Sequence, residues 1–340
     1  MQIFNKPAPI SMLHQVRITS VFFILFLLGG CHSSPREEPS STAHEENWFF
    51  WAVDWHPEKE QYVVGGSNDT FLKLFTDKED EAFKHYPCKG TITKTKWHPT
   101  KNKIAISVQD GKSQSAILDL DTDERSTLDS VALEGARAIG WNSTGALVAV
   151  GDYEGNLTVY DEAGSLLRKV PTGQKSIIGL DWHPTENLII AVGEDISWYH
   201  YDLDSLRTFE DRPEAILMLC VDWHPNGQFF ATGDYGDFEV PHPPQLQYWT
   251  YDGQHIKSME RSQAEFRNIQ WSHDGELLAT ASEKIRLWDQ TGKLIAEAPS
   301  ENLLWGVDWN GTSTKIVATD EQRKVLFWDR KLSPLLNIQH

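Results

Sequence analysis

From residue 48 onward, three kinds of apolar run follow one another in a fixed order. The first run ends on a tryptophan: WAVDW at 51–55, TKTKW at 93–97, AIGW at 138–141, IIGLDW at 177–182, MLCVDW at 218–223, NIQW at 268–271 and WGVDW at 305–309. A turn rich in Pro, Gly, Asn and Asp follows each (HPEKEQ, HPTKNK, NSTGA, HPTEN, HPNGQ, SHDGE, NGTSTK), the composition that reverses a chain. The second run is short and apolar: YVVGG at 62–66, IAISV at 104–108, LVAVG at 147–151, LIIAVG at 188–193, FFATG at 229–233, LLATA at 277–281 and KIVAT at 315–319. The third alternates apolar with polar: FLKLF at 71–75, AILDLD at 116–121, LTVYD at 157–161, WYHYD at 198–202, QYWTYD at 247–252, IRLWD at 285–289 and VLFWD at 325–329. Runs of this length and period are strands. A fourth, less regular strand leads into each next repeat.

The first runs are marked by Trp55, Trp97, Trp141, Trp182, Trp223, Trp271 and Trp309, separated by 42, 44, 41, 41, 48 and 38 residues. Self-similarity at about 40–45 residues, with four short strands per copy, predicts propeller blades. The expected fold is all-β: a seven-bladed β-propeller of four-stranded antiparallel blades. Its first strand begins near residue 50 and its last near 334, so the seventh blade comes wholly from the C-terminal part of the chain. The ring then closes by side-chain packing between blades 1 and 7.

Eight or nine residues after each marker tryptophan stands a small side chain: Ala105, Ala149, Ala191, Ala231, Ala279 and Ala318, with Val64 in blade 1. Blades converge towards the axis, so inner strands have little room between neighbours, while the aromatics of third strands belong further out.

IRLWD and VLFWD, with their ATAS and ATD lead-ins, resemble the repeats of WD-repeat proteins over roughly 48–340. Trp288–Asp289 and Trp328–Asp329 carry the full W-D pair; Tyr160–Asp161, Tyr201–Asp202 and Tyr251–Asp252 carry a tyrosine version. The family's Gly-His dipeptide is absent, which puts in doubt its His-to-Asp hydrogen-bond chain within each blade, though not the fold. The resemblance implies a rigid platform that displays loops to protein partners.

The beginning of the chain has a different pattern. Lys6 and Arg17 precede the apolar run VFFILFLL at 21–28, which is too short to span a bilayer, since that takes about 20 residues. A basic region, a short apolar core and small residues make a secretory signal. Its end, L-G-G-C at 28–31, resembles the lipobox of bacterial lipoproteins. That resemblance implies cleavage before Cys31, acylation of Cys31 and, with His32 rather than Asp after it, an outer-membrane address facing the periplasm. Residues 1–30 are then the lipoprotein signal peptide, and 31–47 the lipidated cysteine with a polar, Ser- and Pro-rich tether that has nothing to bury. Residues 48–340 are the propeller.

Net charge is −18, from 49 acidic and 31 basic residues, which disfavours a nucleic-acid partner. The other two cysteines, Cys88 and Cys220, fall in blades that are not neighbours and are expected to be unpaired. No catalytic motif is present: neither G-x-S-x-G, nor H-E-x-x-H, nor a P-loop. No enzyme, cofactor or metal is expected. The alternative is a propeller enzyme or small-ligand binder using the central channel, in the manner of a lactonase-like or quinone-dependent propeller.

Three sets of residues were weighed as sites. Asp54, Asp181, Asp222 and Asp308 precede marker tryptophans and point to carboxylates near the axis, a possible cation ring. Lys96 at the same position of blade 2 argues against a cation, and each carboxylate is expected to take backbone hydrogen bonds near its own strand or turn. His56, His98, His183 and His224 belong to turns of separate blades and cannot converge on one zinc. The longest insertion, DYGDFEVPHPPQ at 234–245, lengthens blade 5. Asp237, Phe238, Glu239, Val240 and His242 are therefore the candidate partner-binding loop. Function is expected to be capture of one or more unidentified proteins, with the membrane reached through lipid on Cys31.

Overall fold

The computed structural model describes residues 49–67, 71–79, 81–109, 115–129, 131–209, 216–237, 242–260 and 262–339. The expected leader, Cys31 and the tether lie outside the described residues.

The described residues form seven four-stranded antiparallel sheets, each contiguous in sequence and each in simple meander order. The first strands are Phe49–Trp55, Thr91–Trp97, Ala136–Trp141, Ile177–Trp182, Met218–Trp223, Asn268–Trp271 and Leu304–Trp309. Each packs on the first strands of the blades beside it, and that of blade 7 returns to that of blade 1. The ring is closed, and its seventh blade runs from Leu304 to Gln339 without a strand from elsewhere.

Among the described residues no strand ladder joins one blade to the next; side chains hold the blades together, with isolated backbone contacts such as Leu304 N–H to Ser282 O (2.8 Å) and the Gln109–Gly135 bridge. Each apolar cluster straddles two neighbours. At the seam, Phe50, Val53, Trp55, Tyr62 and Val64 of blade 1 pack with Val317, Val325 and Phe327 of blade 7. The small residues of the second strands are all fully buried, as is Val64. Burying side chains between sheets is what makes each pair of blades cohere.

The W-D aspartates close local turns. Oδ1 of Asp289 accepts N–H bonds from Thr291 (2.8 Å) and Lys293 (3.0 Å), and Oδ1 of Asp329 accepts from Lys331 and Ser333 (both 2.8 Å). Asp161, from a tyrosine version, does the same with Ala163 and Ser165. Cys88 and Cys220 are both buried, and no disulfide joins them.

Ala279 lies in the cluster between blades 6 and 7, with Leu287, Val307, Trp309 and Ala318. Replacing it with leucine is expected to overpack this joint and cost about 1–3 kcal/mol, read as a lower urea midpoint. An unchanged midpoint would show that the joint has slack.

Candidate functional site: the axial channel and its mouth

The residue before each marker tryptophan faces the axis, and here the aspartates act differently from the sequence expectation. Each carboxylate accepts the backbone N–H of the marker tryptophan in the next blade, not in its own. Asp54 takes Trp97 N–H (2.6 Å), Asp181 takes Trp223 (2.7 Å), Asp222 takes Trp271 (2.6 Å) and Asp308 takes Trp55 (2.6 Å). The side of the innermost strand that faces the channel has no partner strand, so its N–H groups need another acceptor. Where the preceding blade has no aspartate, the indole supplies the joint. Trp141 Nε1–H donates to Lys96 O (3.1 Å), Trp182 Nε1–H to Gly140 O (2.8 Å) and Trp309 Nε1–H to Gln270 O (3.0 Å). Blade 2 uses both, since Trp97 Nε1–H also reaches Asp54 O (3.2 Å).

The histidines of the H-P turns complete the clasp. Nδ1 of His98 accepts the N–H groups of Thr100 and Lys101, and that of His183 those of Thr185 and Glu186. The proton is then on Nε2, which donates to the next blade's turn: His98 to Gly145 O (3.1 Å), His183 to Gly227 O (3.0 Å) and His224 to Gly275 O (2.9 Å). These glycines have φ near +71° to +73°, and a Cβ on any of them would fall within 2.7 Å of the histidine ring. The four histidine rings also sit 4.6–4.8 Å from the next blade's tryptophan. Among the described residues, no three His, Cys, Asp or Glu side chains gather as metal ligands.

Two lysines of blade 2 cross the channel. Lys94 Nζ donates to Asn268 Oδ1 (2.6 Å), and Lys96 Nζ to Gln270 Oε1 (3.1 Å) while pairing with Asp54 Oδ1 (3.1 Å). Gln270 Nε2 in turn donates to Asp222 Oδ1 (2.9 Å). Burial pushes Asp54 up to about 7 and Asp181 up to about 6, with Lys96 opposing both, and raises Asp222 and Asp308 as well. Burial alone would lower Lys96, but Asp54, Asp308, Asp222 and Asp181 together hold it above the usual ammonium range. The channel thus contains its own cation where a metal ion would otherwise balance the carboxylates.

Four residues before the marker tryptophan, the innermost strand carries a β-bulge in six of the seven blades. The bulge residues are Trp51, Thr93, Arg137, Ile178, Leu219 and Trp305; Arg267 holds the same position just ahead of blade 6's first strand. A bulge re-aims its side chain, and these residues line a concave mouth at the end of the channel away from the H-P turns. Phe49, Trp51 and Trp305 form an aromatic group, with Trp51 and Trp305 centroids 4.6 Å apart. The Arg137 guanidinium lies 5.3 Å from the Trp51 centroid and that of Arg267 lies 3.8 Å from Trp305.

The 234–245 insertion leaves the end of blade 5's second strand, which pairs beside Met218 on the mouth's side. Asp234 Oδ1 closes its base by accepting from Gly236 (3.0 Å) and Gln245 (2.8 Å). Asp237 and His242 exchange backbone hydrogen bonds of 2.9 and 3.2 Å, so the loop narrows to a hairpin neck. Phe238, Glu239 and Val240 lie outside the described residues. Sequence reading singled out this loop and passed over the bulge ring beside it. Only the constant offset from the tryptophans could have revealed that ring.

Seven four-stranded antiparallel sheets closed around an axial channel define a β-propeller. The family model described as WD domain, G-beta repeat, matches residues 204–240. Over 192 residues the chain is 23% identical to the Intraflagellar transport protein 80 homolog of Mus musculus, covering 55% of the chain and 23% of that protein. Over 93 residues it is 29% identical to the F-box-like/WD repeat-containing protein TBL1X of Mus musculus, covering 27% of the chain and 18% of that protein. The aligned regions therefore span less than a quarter of these curated relatives. The repeats, the blade count and these matches support a WD-repeat β-propeller.

Asp308 carries the clasp across the seam. Asp308→Ala leaves the buried N–H of Trp55 without an acceptor and is expected to cost about 1–3 kcal/mol, measured by chemical denaturation; a loss under a few tenths would remove the clasp from the account. A second outcome concerns pH. Burial, with Lys59 adding, lowers His56 from its ordinary 6.5 to about 4. The folded state thus keeps His56 neutral, and its contribution is intact above pH 6.5 and lost as pH falls from 6.5 towards 4. The buried aspartates act in the opposite sense, because a raised carboxyl favours folding more as pH falls. The readout is therefore the difference between wild type and His56→Gln, which should narrow over that interval. A constant difference would refute the assignment.

Proposed function

We propose that this chain is a membrane-anchored envelope lipoprotein whose propeller is a protein-interaction platform, with the mouth face as its docking side. The observation that carries the docking assignment is the bulge ring. It repeats a backbone irregularity around the axis and so gathers Trp51, Trp305, Arg137 and Arg267 at one concavity. Aromatic and arginine side chains dominate binding energy at protein interfaces. The loop neck at Asp237 and His242 stands on the same face. The WD-repeat relatives favour a scaffold over an enzyme, and the lysines spanning the channel leave the mouth, not the lumen, as the place for a ligand. Lipid attachment at Cys31 rests on the L-G-G-C sequence, and through it so does the outer-membrane address.

One experiment with two arms tests the proposal. Cross-linking and pulldown from the native envelope compares wild type with Trp51→Ala/Trp305→Ala; the variant is expected to lose most of the captured partner while keeping its unfolding midpoint. Equal capture would move docking away from the mouth. In the second arm, Cys31→Ser is expected to pass from the detergent phase to the aqueous phase on partition, and unchanged partition would rule out the lipid anchor.

A further inference from the structure

The chain is acidic, with 49 acidic against 31 basic residues, yet the mouth is not. Its lining includes Lys94, Arg137 and Arg267 and not one Asp or Glu. Arg267 is paired with Glu265, so its charge is shared. Lys94 rests on a neutral amide, that of Asn268. Arg137 lies over Trp51 and stands in no ion pair among the described residues. Two basic groups, Arg137 and Lys94, therefore face this concavity with no carboxylate in its lining, while burial lowers Lys94 to about 8 against the pull of Asp54 and Asp222 deeper in the channel. Three N–H donors of the same ring, Trp51 Nε1, Trp305 Nε1 and Arg267 Nε, are buried with no acceptor among the described residues. Ile178 and Leu219 supply an apolar wall opposite the tryptophans.

We propose that the mouth takes an acidic segment of a partner protein, with a carboxylate on Arg137 and Lys94 and an adjacent apolar or aromatic side chain against Trp51, Trp305, Ile178 and Leu219. This rests on the docking reading given above and specifies its chemistry. A guanidinium whose face is covered by an indole still offers its N–H edge, the geometry that binds a carboxylate through two parallel hydrogen bonds. The low-dielectric, partly enclosed position strengthens that pairing. A basic segment would meet Lys94 and Arg137 unfavourably, and a neutral one would bring neither a counter-charge.

The test is calorimetric titration of the full chain with the peptide acetyl-Glu-Phe-Glu-Phe-Glu-amide, its Gln-for-Glu analogue and benzoate. The Glu peptide is expected to bind, and the Gln analogue to bind at least about tenfold more weakly, a change of roughly 1.4 kcal/mol. Arg137→Gln should weaken the Glu peptide by a similar factor and leave the Gln analogue unchanged, and Arg137→Lys should recover part of the loss. Equal affinity for the two peptides, no binding of the Glu peptide, or indifference to Arg137→Gln in a variant that unfolds like wild type would overturn the proposal. Benzoate binding as tightly as the Glu peptide would overturn it too, by making the mouth a small-anion site. If Arg137→Gln leaves native partner capture intact while Trp51→Ala/Trp305→Ala abolishes it, docking at the mouth stands and the carboxylate chemistry fails. If neither substitution affects capture, both fail.

Discussion

The N–H of the marker tryptophan is the constraint on which the ring depends. An innermost strand has a sheet neighbour on one side and only the channel on the other, so half of its backbone groups would be unsatisfied. Asp54, Asp181, Asp222 and Asp308 meet that demand from the neighbouring blade, and where aspartate is missing the indoles of Trp141, Trp182 and Trp309 make a different bond across the same joint. Aspartate thus satisfies a backbone N–H, and where it is missing an indole N–H ties the same joint through a backbone carbonyl of the blade before. In this way seven separate sheets, which share no ladder, become one body.

The same requirement explains the D-W-H-P sequence. Asp reaches the next blade's tryptophan backbone and His its ring and turn, while Trp forms the surface that receives the previous blade's pair. Proline follows where the turn begins. The positive-φ glycines at 145, 227 and 275 leave space for the imidazole that crosses from the blade before. One short motif therefore encodes a joint between blades more than it encodes a blade.

Much of this architecture was legible from the sequence. The tryptophan spacing fixed the number of blades, the runs fixed four strands in each, and the positions near 50 and 334 foretold a seam closed by packing. What the sequence concealed was direction. Asp54 stands next to its own turn in sequence, and only the curvature of the ring carries its carboxylate to the N–H of Trp97, 43 residues on. The bulge ring was hidden for another reason. Trp51, Thr93, Arg137, Ile178, Leu219 and Trp305 follow no single residue type, and a bulge is a property of pairing register, which a pattern of apolar positions does not display. The 234–245 insertion was visible because length is visible; its place beside the mouth needed the strand directions.

The seam between blades 7 and 1 has consequences for how such a chain could be rearranged. Every blade is an unbroken stretch, and the Asp308–Trp55 joint is chemically the same as the Asp54–Trp97 joint inside the chain. Covalent continuity between one blade and the next is therefore incidental to the disc. Fusing the two ends and cutting at any other junction would leave each hydrogen-bonded sheet whole. The architecture has seven interchangeable starting points.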